Sequence, residues 1–350
     1  MSTQEKPELL SSGAGLAASV ATETGTELGE LEAIRARGYW EQVWRRFRRD
    51  RAALGGGVFI ILLLFAAYPG AWIASKLLGH GPNDVFSINA LNPSSLLPVG
   101  PFSHVEKLDG SGTTLFLLGA DGQVGRDEFL RLLYGARVSL EVAVGATIMG
   151  MLIGVLMGAI AGYFGGWMDT IVSRVTEIVM AFPVLLFIIA LSATIGDRLN
   201  HITLGFLQEG VVTLTVVIGI FGWYYPARII RAVVLSLREK EFVEAARMVG
   251  ASDARIIRSH LLPHLVAPII VYSTLIVAQN ILLETGLSFL GLGIPLQVPS
   301  WGNLLSTAPE YYLAQPWLML WPGLAVLLTT LAFNLLGDGM RDAFDPRAVH

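Results

Sequence analysis

The sequence predicts an all-α integral membrane protein with six transmembrane helices, and three observations carry that prediction. First, hydrophobic residues make up 53% of the 350-residue chain and charged ones only 15%, against about 25% charged in an ordinary soluble domain. Second, six long apolar runs recur, near residues 53–75, 138–163, 171–195, 211–232, 264–287 and 316–337. Each reaches the roughly 20 residues that a helix rising about 1.5 Å per residue needs to cross a hydrocarbon core. Inside lipid every backbone N–H and C=O must be satisfied internally, which makes helices the economical form for such runs. Third, Arg and Lys are segregated. Lys6, Arg35, Arg37, Arg45, Arg46, Arg48, Arg49 and Arg51 precede the first run, seven more fall between Arg228 and Arg258, and Arg341 and Arg347 follow the last. The opposite side has Lys76, Lys107, Arg126, Arg131, Arg137 and Arg198, spread over more loop. By the positive-inside rule both termini and the 233–263 segment are expected in the cytoplasm.

In chain order, residues 1–38 are rich in Ser, Gly, Ala, Thr and Glu with no periodic apolar face, which predicts a disordered cytoplasmic tail. The first apolar run begins too far into the chain and is too long for a signal peptide. Trp40, Val43, Trp44 and Phe47 recur at helical spacing and predict an interfacial helix leading into the first span, so that 39–75 forms one unit. Residues 76–136 read as an extracytoplasmic segment of loops and short strands, closing in a short amphipathic helix around Arg126–Tyr134. The second run carries Gly150, Gly154, Gly158 and Gly162 at four-residue spacing after Ala146. A ridge without side chains lets another helix backbone approach closely, either within the subunit or between subunits.

Between the fourth and fifth runs lies a charged island. Glu239–Val249 is expected to form a helix, Gly250 to stop it in a left-handed conformation, and Ser252 to cap a second helix. Pro263 is tolerated in a first turn, so span five is expected to start afresh there. The small Ala245 and Ala246 leave room for a partner protein to close over this helix. Residues 137–340 form a five-helix core around this loop, and 341–350 a cytoplasmic tail.

Several function classes are excluded. Without cysteine there is no disulfide, thiolate site or thiol nucleophile. A net charge of −4 gives no field for nucleic acid. A phosphate-binding P-loop needs Gly-Lys followed by Ser or Thr, and none of Lys6, Lys76, Lys107 and Lys240 follows a glycine. His260 and His264 are interrupted by Pro263 and lack a zinc-hydrolase glutamate, and Gly196-Asp197 and Gly337-Asp338 stand outside any aspartyl-protease pattern. No catalytic residue, resident cofactor or metal site is predicted. Ionisable groups inside spans are costly and often functional. Arg174 and Glu177, three apart, are expected to neutralise each other. Glu141 is expected to be solvated near an interface, and Asn334 and Asp338 to act as caps or packing contacts. Glu284, beside Asn280 in span five, is a candidate for lining a pathway.

Glu244-Ala245-Ala246, Gly250 and Leu262-Pro263 together resemble the "EAA" loop of membrane-spanning permease subunits of binding-protein-dependent ABC importers. Gly125-Arg126-Asp127, Leu133–Leu140, Arg228–Leu237, Glu284–Gly293 and Pro299-Ser300-Trp301-Gly302 are similar to the dipeptide/oligopeptide/nickel branch, in its C-type permease, and the similarity runs over about residues 40–347. One departure is that the branch usually has Gly-Thr-Asp two residues before Gly-Arg-Asp, whereas Ala120-Asp121 is three residues from Gly125. The resemblance implies a type I (MetI-like) permease core in a bacterial or archaeal cytoplasmic membrane. It implies half of a pore shared with a second permease subunit, and an extracytoplasmic solute-binding protein that delivers peptide. It also implies two ATPase subunits that bind ATP-Mg and grip Glu244, Ala245, Ala246, Gly250, Leu262 and Pro263. Nickel chelates or another solute are alternative cargoes, and a self-contained secondary transporter or a non-transporting scaffold are alternative functions.

Overall fold

The computed structural model describes residues 39–107, 110, 112–181, 183, 185–191, 194 and 210–345. The predicted tail 1–38, Gly196-Asp197, Arg198, the end of the third apolar run and residues 346–350 lie outside the described residues.

The interfacial segment forms the helix α1 (Tyr39–Phe47), with Trp40 and Trp44 exposed. The Trp44 and Phe47 rings stack at 5.9 Å, and Arg45 and Arg46 fall in the last turn, where cations complement the helix C-terminus.

A separate unit begins at Asp50, whose carboxylate accepts from the N–H groups of Ala52 and Ala53 and starts α2 (Arg51–Leu78). Pro69 lies in a π turn, Ala66–Gly70, within α2. A proline breaks the regular hydrogen-bond ladder, and a local widening absorbs the defect without ending the helix. Between α2 and the next long helix, β1 (Ser103–Glu106) pairs antiparallel with β2 (Thr113–Phe116), and β3 (Ala120–Asp121) with β4 (Arg126–Asp127). Phe86, Ala90, Val105, Phe116 and Ala120 give this segment its own small core. The residue that separates this chain from the Gly-Thr-Asp spacing is taken up in the 3-10 turn Gly122–Val124, which Gly125 closes at φ +70°.

The helix α3 (Glu128–Phe164) runs unbroken for 37 residues. The separate amphipathic helix expected before span two is therefore the first part of the same helix. No proline or turn sequence interrupts it, and Asp127 caps it by accepting from Phe129 N (2.8 Å) and Leu130 N (3.2 Å). Two bent pairs follow: α4 (Gly166–Ala181) with α5 (Leu185–Leu191) at 86°, and α6 (Val211–Gly222) with α7 (Tyr224–Leu237) at 40°. After α8 (Glu241–Met248) comes α9 (Asp253–Phe289), then the short α10 (Trp301–Thr307) and finally α11 (Trp317–Phe344). Among the described residues α2, α3, α9 and α11 are long and apolar enough to cross a membrane, and counting each bent pair as one span brings the number to six.

Three expectations are corrected here. Span five does not restart at Pro263, because α9 begins at Asp253 and passes through a π segment, Ile256–Leu261, placed just ahead of that proline. Asn334 and Asp338 are not caps, since α11 continues to Phe344, and the half-buried Asn334 keeps the packing alternative. Glu141 is not left to solvent: it accepts from Arg137 Nε at 2.8 Å and from the Tyr68 hydroxyl at 3.3 Å.

The glycine ridge packs within the subunit. A Cβ on Gly150 would sit 3.3 Å from Gly219 O, one on Gly154 2.7 Å from Pro226 Cγ, and one on Gly162 2.8 Å from Arg231 O. The α3 backbone therefore lies directly on α6 and α7. Core clusters formed by α2, α3, α9 and α11, and by α3, α5, α6 and α9, make α3 the central member of the bundle.

Candidate functional site

The island 238–265 is a helical knob with one anchored face and one open face. Lys240 takes the N-cap position of α8 without a side-chain bond. Gly250 ends the helix at φ +82°, its N–H bonding Arg247 O (2.9 Å) while Ala251 N bonds Ala246 O (3.0 Å). This is a Schellman closure, which needs a residue that enters the left-handed region cheaply. Ser252 occupies the next N-cap position as expected, but its hydroxyl makes no capping bond.

Val243 is fully buried, and with Ala246 it packs among Tyr163 of α3, Ile230 and Val234 of α7, and Ile256, Leu261 and Leu265 of α9. The Tyr163 hydroxyl donates to Asp253 Oδ1 at 2.6 Å, and the Arg247 guanidinium lies 5.2 Å from the Tyr163 ring centre. The Phe242 and His264 rings meet at 5.2 Å. The opposite face is open. Glu244 and Ala245 are exposed, and Met248 and Val249 are 82% and 90% exposed. Leu262 and Pro263 are also exposed, and the leucine that anchors α9 to the knob is Leu261. Of the six sequence-selected residues, Ala246 is partly packed inward, Gly250 shapes the backbone, and Glu244, Ala245, Leu262 and Pro263 face outward.

The two pathway candidates are buried inside the subunit. Asn280 donates to Thr147 Oγ1 at 2.9 Å. Glu284 accepts from the Ser288 hydroxyl at 2.8 Å, and Ser288 Oγ in turn accepts from Ile294 N at 3.1 Å. Trp301 N reaches Ser139 Oγ at 3.4 Å, and Ser300 caps α10 through Asn303 N at 3.2 Å. These hydroxyls and the carboxylate tie residues 288–303 back onto α3 and α9. Arg174 and Glu177 pair at 2.7 Å, as their spacing predicted, with both side chains mostly exposed.

The kind of subunit to which these contacts belong follows from comparison. Residues 154–350 match the family described as binding-protein-dependent transport system inner membrane component, and residues 38–94 match the N-terminal transmembrane domain of oligopeptide transport permease C. The chain belongs to this permease family. It is 40% identical to a putative peptide permease protein of Brucella ovis over 307 residues, covering 87% of this chain and 89% of that one. Identity to the glutathione transport system permease protein GsiD of Shigella flexneri is 38% over 308 residues, covering 88% and 90%. An inward-facing structure of the MetNI methionine ABC transporter aligns with a TM-score of 0.47 at 17% identity, covering 61% of this chain and 96% of that one. The permease is thus a membrane subunit of an ABC importer, with the C-type N-terminal region.

Sequence reasoning missed several ion pairs of the permease whose members sit on different elements. Asp169 of α4 binds Arg231 of α7 through two bonds. Asp121 lies 2.6 Å from Arg131 Nε and 3.1 Å from Arg126 Nη2. Burial pushes the Asp121 carboxyl above the usual carboxylate range, with Arg131 and Arg126 pulling it back down. His80 Nε2 is 2.9 Å from Asp127 Oδ2, in the same hairpin region. In advance, the Gly125-Arg126-Asp127 motif, the Ala120-Asp121 departure and the amphipathic stretch Arg126–Tyr134 drew attention to this neighbourhood, but not to the pairs themselves.

Proposed function

We propose that this permease forms half of a pore for peptides in a cytoplasmic membrane, and that α8 takes mechanical work from a separate ATPase. The observation that carries the reading is the two-sidedness of the knob: Val243 and Ala246 are gripped by α3, α7 and α9, while Glu244, Ala245, Met248 and Val249 stand free. A push on the open face passes directly into three membrane helices. Two ATPase subunits that close on ATP, differing in their contacts with α8 between open and closed states, would bias the pore between inward- and outward-facing forms. In this reading the chain hydrolyses nothing itself. The arginine-rich flanks and the island face the cytoplasm, a second permease completes the pore, and a solute-binding protein delivers cargo to the other face. The peptide assignment draws on the relatives, one a putative peptide permease and one a glutathione permease.

The absence of cysteine allows a direct test. Cysteines placed at Ala245 or Met248 of the purified complex should crosslink to the ATPase subunit, and the yield should change when ATP is added. Crosslinking to no nucleotide-binding subunit in a transport-active preparation refutes the coupling role. Uptake that persists without ATP would instead mark a secondary transporter.

A further inference from the structure

A cavity of about 330 Å³ opens where α6 gives way to α7, between that bend and α9. Among the described residues that line it there is no Asp, Glu, Lys or Arg. Its polar groups are the hydroxyls of Tyr224 and Tyr225 and the amides of Gln279 and Asn280, set among Ile, Leu and Phe. Gln279 is exposed although it lies ten residues from the end of α9, about 15 Å along a helix axis. A primary amide at that depth is expensive against lipid and belongs against protein or a polar passage. Asn280 is held in place through its Nδ2 bond to Thr147. A Cβ added to Gly222, at the bend, would meet nothing within 4 Å, so the backbone there lies open to the cavity. Discontinuous helices with open backbone are where membrane transporters place solute contacts, and a mostly apolar pocket with a few fixed polar groups suits a small molecule. The neighbouring cavity along α7, by contrast, has Glu177, Arg228 and Arg231 in its lining.

Resting on the peptide reading above, we infer that this cradle contacts the passing peptide through the peptide's own backbone. Tyr224, Tyr225 and Gln279 offer amide and hydroxyl partners that match N–H and C=O groups, and no described residue of the wall distinguishes acidic from basic side chains. The cradle is a solute-contacting site that is indifferent to peptide charge.

The test uses the complete importer in proteoliposomes with trialanine, Ala-Lys-Ala and Ala-Glu-Ala. Gln279→Leu, which suits a lipid environment and should not impair folding, is expected to lower uptake of all three at least five-fold and by the same factor, while ATP hydrolysis stimulated by the binding protein is retained. Tyr225→Phe should lower all three more weakly. In the cysteine-free background, Gln279→Cys should be protected from a thiol reagent by trialanine during turnover. Unchanged uptake by both variants, losses that differ with peptide charge, or protection by lipid regardless of peptide overturns the site. Wild-type importer that moves none of the three peptides overturns the peptide reading itself, a result distinguishable from any of these.

Discussion

Replacing Gly158 by leucine tests the seam between α3 and α7. A Cβ at residue 158 would lie 2.5 Å from Ala227 O, 3.0 Å from Arg231 N and 3.0 Å from Ile230 Cβ. The first two are backbone atoms of α7, which no rotamer change can move aside. Ordinary carbon contacts sit at about 3.5–4.0 Å, so the helices must part by roughly 1 Å, and a gap of that size forfeits a quarter to a half of each contact along the seam. Overpacking costs about 1–3 kcal/mol, and the remainder of a leucine side chain places the variant at the upper end. The better helix propensity of leucine over glycine returns less than about 1 kcal/mol. The clash wins, with a net loss of about 2 kcal/mol. Thermal denaturation in detergent, followed by size-exclusion chromatography, should show a clearly lower midpoint than wild type. Gly323→Ala is the control: a Cβ there meets nothing within 4 Å, and stability should be unchanged or higher. A Gly158→Leu midpoint equal to wild type would refute the packing argument.

Gly250→Pro removes the N–H that bonds Arg247 O and imposes a negative φ where the chain holds +82°; uptake should vanish while membrane insertion, read by fractionation, stays normal. Gly250→Ala strains the same turn by about 1–2 kcal/mol and should reduce uptake only partly. Glu284→Gln keeps an acceptor for the Ser288 hydroxyl and should nearly preserve the melting midpoint, whereas Glu284→Ala should lower it by the equivalent of about 1–3 kcal/mol, because it leaves buried hydroxyls without their acceptor; equal midpoints for the two would show that the carboxylate organises nothing. Asp121→Ala takes the carboxylate from the buried Arg131 guanidinium and leaves it Asn83 Oδ1 and Leu296 O as acceptors; with those two retained the loss should stay below the roughly 3–5 kcal/mol of a fully broken buried pair, and the hairpin region should open to limited proteolysis ahead of the helices.

The apolar runs were legible because the bilayer imposes a length and a composition that few other folds satisfy, and the glycine ridge because its spacing leaves one side of α3 without side chains. Gly250 was readable as a helix stop for a local backbone reason. Pro263 misled for a related one: the proline rule is local, while the π segment Ile256–Leu261 that accommodates it is held by Leu261 and Leu265 in the knob's core. For Glu284 the helical spacing to Ser288 was readable, but the fold-back that brings Ile294 N onto the Ser288 hydroxyl is announced by no periodicity. Asp169 and Arg231, 62 residues apart, were invisible as a pair. Gln279, Tyr224 and Tyr225 carried a signal that went unused, namely polar atoms inside apolar runs.

At about 1.5 Å per residue, the 37 residues of α3 make a rod some 55 Å long. One end is set into the hairpins by the Asp127 cap and its link to His80; the other is tied to the knob by Tyr163 and Asp253. There is no hinge between them. A tilt of about 10° around the midpoint of a straight rod of that length would swing each tip by roughly 5 Å in opposite senses, so hairpins and knob would move together if the helix tilts as one piece.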